Sequence, residues 1–98
     1  MTIDKTLNGD ELTVSLAGRL DTVTSPELEE ALSGATDDIK TLIFDLKQLE
    51  YISSAGLRVL LAAQKSMNRH GNMIVRNTRD AILEIFDITG FSDILTLE

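Results

Sequence analysis

Apolar and polar residues alternate over two stretches near the start of the chain, residues 3–7 and 12–16. Alternation with a period of two is typical of a β-strand that buries one face. The stretches are separated by Asn8-Gly9, a pair that tolerates positive φ and favours a tight turn. The pattern therefore predicts a β-hairpin with one buried face.

The next apolar residues follow a helical spacing. Thr24-Ser25-Pro26-Glu27 is typical of a helix start, because Thr24 and Glu27 fit a capping box and proline is tolerated in a first turn. The stripe that follows, at i, i+3, i+4 and i+7, consists of Leu28, Ala31, Leu32 and Ala35. We expect this helix to end near Gly34.

Two short and continuously apolar runs, Thr41–Phe44 and Met73–Val75, are predicted to be buried strands. A second helix is expected from Ala55 to about Arg69, with Gly71 ending it.

Helical spacing returns for a third helix, which Asn77 or Thr78 can cap and which Gly90 ends. Residues 94–97 fit either a short strand or a frayed helix. The predicted order is β-β-α-β-α-β-α, an α/β fold in which an opening hairpin is followed by parallel crossovers. We therefore expect one domain over residues 1–98, with helices packed against a mixed four-stranded sheet.

Composition narrows the classes of function. The 98 residues carry a formal net charge of −7 and include no cysteine, which excludes disulfides, a thiol nucleophile and a cysteine metal site. The acidic balance argues against direct binding of nucleic acid. No apolar run is long enough to span a bilayer and no signal pattern opens the chain, so we expect a soluble, cytoplasmic protein.

The negative charge is concentrated in the first half of the chain. Residues 51–79 contain no acidic side chain at all, and their cations are Arg58, Lys65, Arg69, Arg76 and Arg79. A local basic face of this kind can meet an acidic protein, although a solvated helix surface explains the same pattern.

The sequence offers little for enzyme chemistry. The glycines are too far apart for a phosphate loop, and the single histidine, His70, has no histidine partner for a metal. Asp21 and Asp45 each follow a predicted strand, so a small enzyme using them as acid and base is the least favoured of our hypotheses. We predict no enzyme activity, no metal and no cofactor.

One segment, Tyr51–Leu57, carries more information. It reads as a sharp strand-to-helix turn with two hydroxyls, Ser53 and Ser54, at the helix entrance, where Gly56 leaves the backbone unshielded. Free N–H groups and the helix dipole favour an anion there, such as a phosphate on Ser54. The simpler alternative is that Ser54 or Ser53 is an ordinary N-cap.

These motifs resemble those of the STAS-domain anti-sigma-factor antagonists of bacteria. The resemblance rests on three segments in the family's order, and it extends over essentially the whole chain. They are Gly18–Leu28 (GRLDTVTSPEL), Leu42–Leu46 (LIFDL) and, most specifically, Tyr51–Leu61 (YISSAGLRVLL).

The resemblance implies a partner-switching mechanism. In the family, unphosphorylated antagonist binds an anti-sigma factor that is also a serine kinase, and the sigma factor is released. Phosphorylation of a serine in a D-S-[ST]-G-L turn breaks the complex, and a serine phosphatase resets it. Matched on Gly56-Leu57, the family's serine falls on Ser54. The implied partner-binding residues are Asp21, Ser53, Ser54, Gly56, Leu57 and Arg58.

The chain departs from the family pattern just before this serine. Ser53 stands where the family commonly has an acid, which makes Ser53 a rival phosphoacceptor. The departure also keeps open a constitutive STAS interaction module that is never phosphorylated and serves a signalling or transport assembly. A homodimer through the exposed edge of the hairpin is a further alternative.

Overall fold

The computed structural model describes residues 1–98 and confirms the predicted element order. The elements are β1 (Thr2–Asn8), β2 (Glu11–Leu20), α1 (Ser25–Leu32), β3 (Thr41–Ile52), α2 (Ser54–Met67), β4 (Asn72–Arg76), α3 (Asp80–Thr89) and a short 3₁₀ turn (Phe91–Asp93).

The four strands form one sheet in the order β1-β2-β3-β4. β1 pairs with β2 antiparallel, whereas β2 pairs with β3 and β3 pairs with β4 in parallel. The mixed sheet is therefore as expected: a hairpin needs only a short turn, and parallel neighbours need a crossover through a helix.

Alternate residues of the strands bury one face of the sheet against the helices. A cluster of 22 buried residues joins positions such as Val14, Phe44 and Val75 to Leu60 of α2 and Phe86 of α3. α2 packs on β3 and β4, and α1 packs on α2. The layering places the beginning of α2 directly over the ends of β2 and β3.

β3 is much longer than its apolar run predicted. The pairing of β2 with β3 shifts register twice, between Ser15 and Ala17 and between Gly18 and Arg19. At each shift β3 uses one extra residue, so Leu46, Leu49 and Ile52 all reach the buried face at a spacing of three. A sequence pattern that assumes alternation of buried and exposed residues cannot predict a strand with this spacing.

The opening hairpin is confirmed, but its turn lies one residue further along. Asn8 pairs with Glu11, so the two central residues are Gly9 and Asp10. Gly9 has φ +66, and glycine is the residue that adopts this conformation readily at the first central position.

Two predicted helix caps are wrong. Thr24 is the N-cap of α1, but its side chain makes no capping hydrogen bond, so the box with Glu27 does not form. The Thr24 hydroxyl oxygen instead accepts from the Asp21 N–H at 2.8 Å, and the hydroxyl donates to the carbonyl of Arg19 at 2.7 Å. α3 begins after Arg79, which also gives no side-chain cap, rather than after Asn77 or Thr78.

Of the two alternatives for residues 94–97, the structure favours the strand. Leu97 forms an isolated parallel bridge with Val75, in which the Val75 N–H donates to Thr96 O and the Glu98 N–H donates to Val75 O, both at 2.9 Å. The segment thus extends the sheet beyond β4.

Gly71 has a role that its sequence position did not reveal. α2 already ends at Met67, and Gly71 has no positive φ. A Cβ at this position would instead lie 2.1 Å from the carbonyl oxygen of Lys40, because the entries to β3 and β4 approach closely there.

We expect Gly71→Ala to lower the free energy of unfolding by about 2 kcal/mol, since backbone has to move to remove the overlap. Urea denaturation measures this directly. Arg69→Ala is the matched control, because Arg69 is exposed and forms no ion pair, and it should change stability by less than about 0.5 kcal/mol. Equal losses for the two variants would contradict the proposed overlap.

Candidate functional site

The candidate site lies where the parallel strands β2 and β3 end together. Leu20 and Ile52 are partners in the register, and the Ser53 N–H donates to the Leu20 carbonyl at 2.9 Å. This bond fixes the loop after β2 (residues 21–24) beside the turn that enters α2. The structure thus brings Asp21 and the two serines to the same edge of the sheet.

Asp21 organises the loop between β2 and α1. One carboxylate oxygen, Oδ1, accepts from the backbone N–H groups of Val23 and Thr24, each at 3.0 Å. The hydrogen bond from Thr24, followed by the one from Val23 and the nearby charge of Arg19, holds the pKa of Asp21 below its ordinary value of 3.8. The carboxylate therefore has a structural task at the start of α1.

The two serines have different surroundings. Ser53 is the N-cap of α2, and its hydroxyl oxygen accepts from the Gly56 N–H at 3.3 Å. Ser54 is the first residue of the helix; its side chain is exposed and makes no hydrogen bond within the protein. The N-cap alternative therefore applies to Ser53, and the hydroxyl of Ser54 remains free.

Gly56 and Leu57 pack the turn against the core. A Cβ on Gly56 would lie 2.8 Å from the Leu20 side chain and 2.9 Å from that of Ile52, so the helix entrance packs tightly on both strand ends. Leu57 is buried in the core. The expectation that Gly56 leaves backbone open to an anion is wrong, because this residue faces the core.

Other side chains complete the exposed surface around Ser54. The guanidinium of Arg19 lies 4.1 Å from the centre of the Tyr51 ring and 3.9 Å from an Asp21 oxygen. Val23, at the tip of the loop, is 81 % exposed. Arg58, one helical turn beyond Ser54, is exposed and takes part in no ion pair.

Arg19, Val23 and Tyr51 lie within the motifs quoted from the sequence, but sequence reasoning gave them no role of their own. Arg19 and Tyr51 become neighbours only through the register of β2 with β3, which shifts just before them. Val23 could have been found from the sequence, because this valine precedes α1 and does not belong to its apolar stripe.

The pairing of Asp21 with Asp45, considered for an enzyme, does not form. Asp45 lies inside β3 opposite Ser15, six residues before Asp21 in the register, which corresponds to about 20 Å along the strand. Its Oδ1 accepts from the Lys47 N–H and the Asn77 side chain. No three histidine or acidic side chains converge as metal ligands, and no helix has the length and apolarity needed to cross a membrane.

Comparison with known proteins identifies the family. The profile of the STAS domain matches residues 2–98. The chain belongs to the STAS domain family. Among its STAS relatives is the anti-sigma-B factor antagonist of Bacillus subtilis, which is 29 % identical over 96 residues, covering 97 % of this chain and 88 % of the relative.

Solved structures confirm the STAS fold. An anti-sigma factor antagonist from Mycobacterium paratuberculosis superimposes with a TM-score of 0.88 at 27 % identity, over 98 % of this chain and 83 % of that protein. SpoIIAA, at 17 % identity, gives TM-scores of 0.79 in its unphosphorylated form and 0.78 in its phosphorylated form. The unphosphorylated comparison covers 99 % of this chain and 87 % of SpoIIAA, and the phosphorylated one covers 99 % and 91 %. The same fold therefore matches both forms about equally.

Ser53→Ala should lower the free energy of unfolding by about 1 kcal/mol, because the Gly56 N–H loses its acceptor. Ser54→Ala is the matched control and should change stability by less than about 0.5 kcal/mol, since the exposed hydroxyl has no partner. Thermal or urea unfolding distinguishes the two serines. A larger loss for Ser54→Ala would show that the cap is assigned to the wrong residue.

The lowered pKa of Asp21 predicts a defined pH dependence. A carboxyl whose pKa is lower in the folded state stabilises the protein above its unfolded pKa, near 3.8, and this stabilisation is lost as the pH falls through the folded value. Asp21→Asn keeps the side-chain shape, so it should be less stable than wild type at pH 7 and equally stable at the lowest pH. Thermal unfolding from pH 7 to below pH 3 measures the difference.

Asp37→Asn is the control for this series, because Asp37 is exposed and accepts no side-chain hydrogen bond. It should lie close to wild type at pH 7. A stability gap between Asp21→Asn and wild type that persists unchanged to the lowest pH would contradict the ionic role of Asp21.

Proposed function

We propose that residues 1–98 act as one STAS module, an anti-sigma factor antagonist that works in the bacterial cytoplasm by binding and not by catalysis. In this proposal the unphosphorylated form binds an anti-sigma factor that is also a serine kinase, and the sigma factor is thereby released. Phosphorylation of Ser54 breaks the complex, and a serine phosphatase restores the binding form. The names of the relatives support the antagonist role.

The free hydroxyl of Ser54 is the observation that carries the proposal. It stands at the exposed edge of a fixed helix entrance, whereas the neighbouring hydroxyl of Ser53 is occupied as the N-cap. A kinase can reach Ser54 without unfolding the turn. Modification of Ser53 would require the cap of α2 to be given up.

The chemical step needs only a nucleoside triphosphate and the partner kinase. The Ser54 hydroxyl oxygen forms a bond to the terminal phosphorus, the bond from that phosphorus to the nucleoside diphosphate breaks, and the hydroxyl proton is released. Hydrolysis of the phosphoserine by the phosphatase returns the hydroxyl and inorganic phosphate. The antagonist itself contributes a correctly placed acceptor.

Electrostatics explain how one phosphate separates two proteins. The group brings a charge of about −1.5 to −2 at neutral pH to a surface that is desolvated in the complex. A hundredfold loss of affinity requires only about 2.7 kcal/mol, which a buried and poorly paired charge can supply. The equal match of the fold to both forms of SpoIIAA is consistent with a switch that involves no refolding.

Intact-mass spectrometry of the protein isolated from its own bacterium tests the proposal. We expect a fraction that carries one phosphate and loses it on phosphatase treatment. That fraction should be absent from Ser54→Ala and present in Ser53→Ala. Loss only in Ser53→Ala would move the acceptor by one residue, and no phosphate under any growth condition would favour the constitutive STAS module.

Titration of the phosphorylated and phosphatase-treated samples against the anti-sigma factor kinase of the same bacterium completes the test. The phosphorylated form should bind at least about a hundredfold more weakly, with an unchanged circular dichroism spectrum. Equal affinities would overturn the switch even if the phosphate is present.

A further inference from the structure

We propose that Arg58 captures the phosphate of phospho-Ser54 within the same chain, at the mouth of the hollow between α1 and α2. This inference rests on the proposed phosphorylation of Ser54 and concerns what the phosphate contacts afterwards. It assigns to Arg58 the role of an internal counter-ion that is free in one state of the switch and engaged in the other.

The spacing along α2 brings the two side chains together. Residues four apart on a helix lie on the same face, with Cβ atoms about 5–6 Å apart. Ser54 and Arg58 have this spacing, and both are exposed. A phosphate on the serine and a guanidinium on the following turn are therefore within reach of each other, and such pairs form strong charge-assisted hydrogen bonds.

Arg58 is free to take this role, whereas the other arginine near the turn is not. The ion pairs of the structure are Arg19 with Asp21 and Arg76 with Glu98. Arg19 also stacks on Tyr51 at 4.1 Å. The side chain of Arg58 has neither an ion-pair partner nor a hydrogen bond, and α2 contains no acidic residue.

A second observation concerns a polar group near Arg58 that has no hydrogen-bond partner. A hollow of about 290 Å³ lies between the first turns of α1 and α2, and Arg58 lines it together with Ala55, Ser25 and Glu29. Ser25 is only 4 % exposed, and its hydroxyl has no hydrogen-bond partner. The unpaired guanidinium of Arg58 is the group at this hollow that a phosphate on the neighbouring Ser54 can reach, whereas the unpartnered hydroxyl of Ser25 is buried beneath it.

Glu29 is the one carboxylate that lines the same hollow, and it opposes this arrangement by repelling the phosphate. It lies outside ion-pair distance of Arg58. Arg58 therefore has to outweigh Glu29 for the pair to form.

The pairing would change what the surface offers to a partner. Before modification Arg58 is an unpaired cation beside Ser54, suited to an acidic group on a docked protein. After modification the phosphate occupies that cation and leaves net negative charge in its place. One covalent change then removes an attraction and adds a repulsion at the same point.

Phosphorus NMR on protein with phosphoserine installed at position 54 during translation tests the inference. The phosphate itself is the probe, and its second pKa lies near 6 when unperturbed. With Arg58 present the phosphoserine pKa should be lower than in Arg58→Gln by about half a unit. Arg58→Lys, which keeps the charge, should retain part of the shift.

Lys65→Gln is the matched control, because it removes one exposed positive charge from α2 two turns further on. It should leave the phosphoserine pKa within about 0.1 unit of the parent, since exposed charges beyond a Debye length are screened. Equal pKa values in the parent and Arg58→Gln would overturn the inference, as would equal shifts for Arg58→Gln and Lys65→Gln.

Thermal unfolding provides a second readout. Phosphorylation should raise Tm more in the Arg58 protein than in Arg58→Gln, and an identical change in both would count against the pair. Because phosphoserine is installed directly, this result does not depend on whether the host kinase modifies Ser54. The mass-spectrometric test of the proposed function can therefore fail or succeed independently.

Discussion

The contact of Gly56 with Leu20 and Ile52 is the constraint on which the site depends. The parallel pairing of β2 with β3 brings the two strand ends to one level, and the absence of a side chain at Gly56 lets α2 begin directly on top of them. The bond from the Ser53 N–H to the Leu20 carbonyl then ties the loop after β2 to the turn after β3. Any larger residue at position 56 would overlap the side chains of Leu20 and Ile52.

This constraint explains why two adjacent serines have separate tasks. Once Gly56 is fixed, its N–H points to the residue three positions earlier, so Ser53 becomes the cap. Ser54 then occupies the first turn, where its side chain points away from the core. The geometry leaves one hydroxyl bound to the backbone and the other free for chemistry, although the residues are chemically identical.

Much of the fold could be predicted from periodicity alone, because a buried face imposes a regular pattern on hairpins and helices. The failures have two physical causes, which are competition between local hydrogen-bonding partners and pairing with another strand. Thr24 fits a capping box, but its hydroxyl oxygen accepts from the Asp21 N–H, and the Asp21 carboxylate accepts from the Thr24 backbone N–H. The length of β3 has the second cause, because its register shifts depend on β2, and the pattern of a single strand does not encode them.

The candidate site could be predicted only in part, because its contacts join residues of different segments. The Tyr51–Leu57 motif marked the turn, and the roles of Ser53 and Gly56 required the three-dimensional contacts. Those contacts also determine how a modification at Ser54 would act. The turn is held by the Ser53 cap, by the bond from the Leu57 N–H to the Ser53 carbonyl and by packing at Gly56. Because these contacts hold the turn, we expect it to keep its shape when Ser54 is modified, and the added charge then acts at the surface, where a partner would meet it.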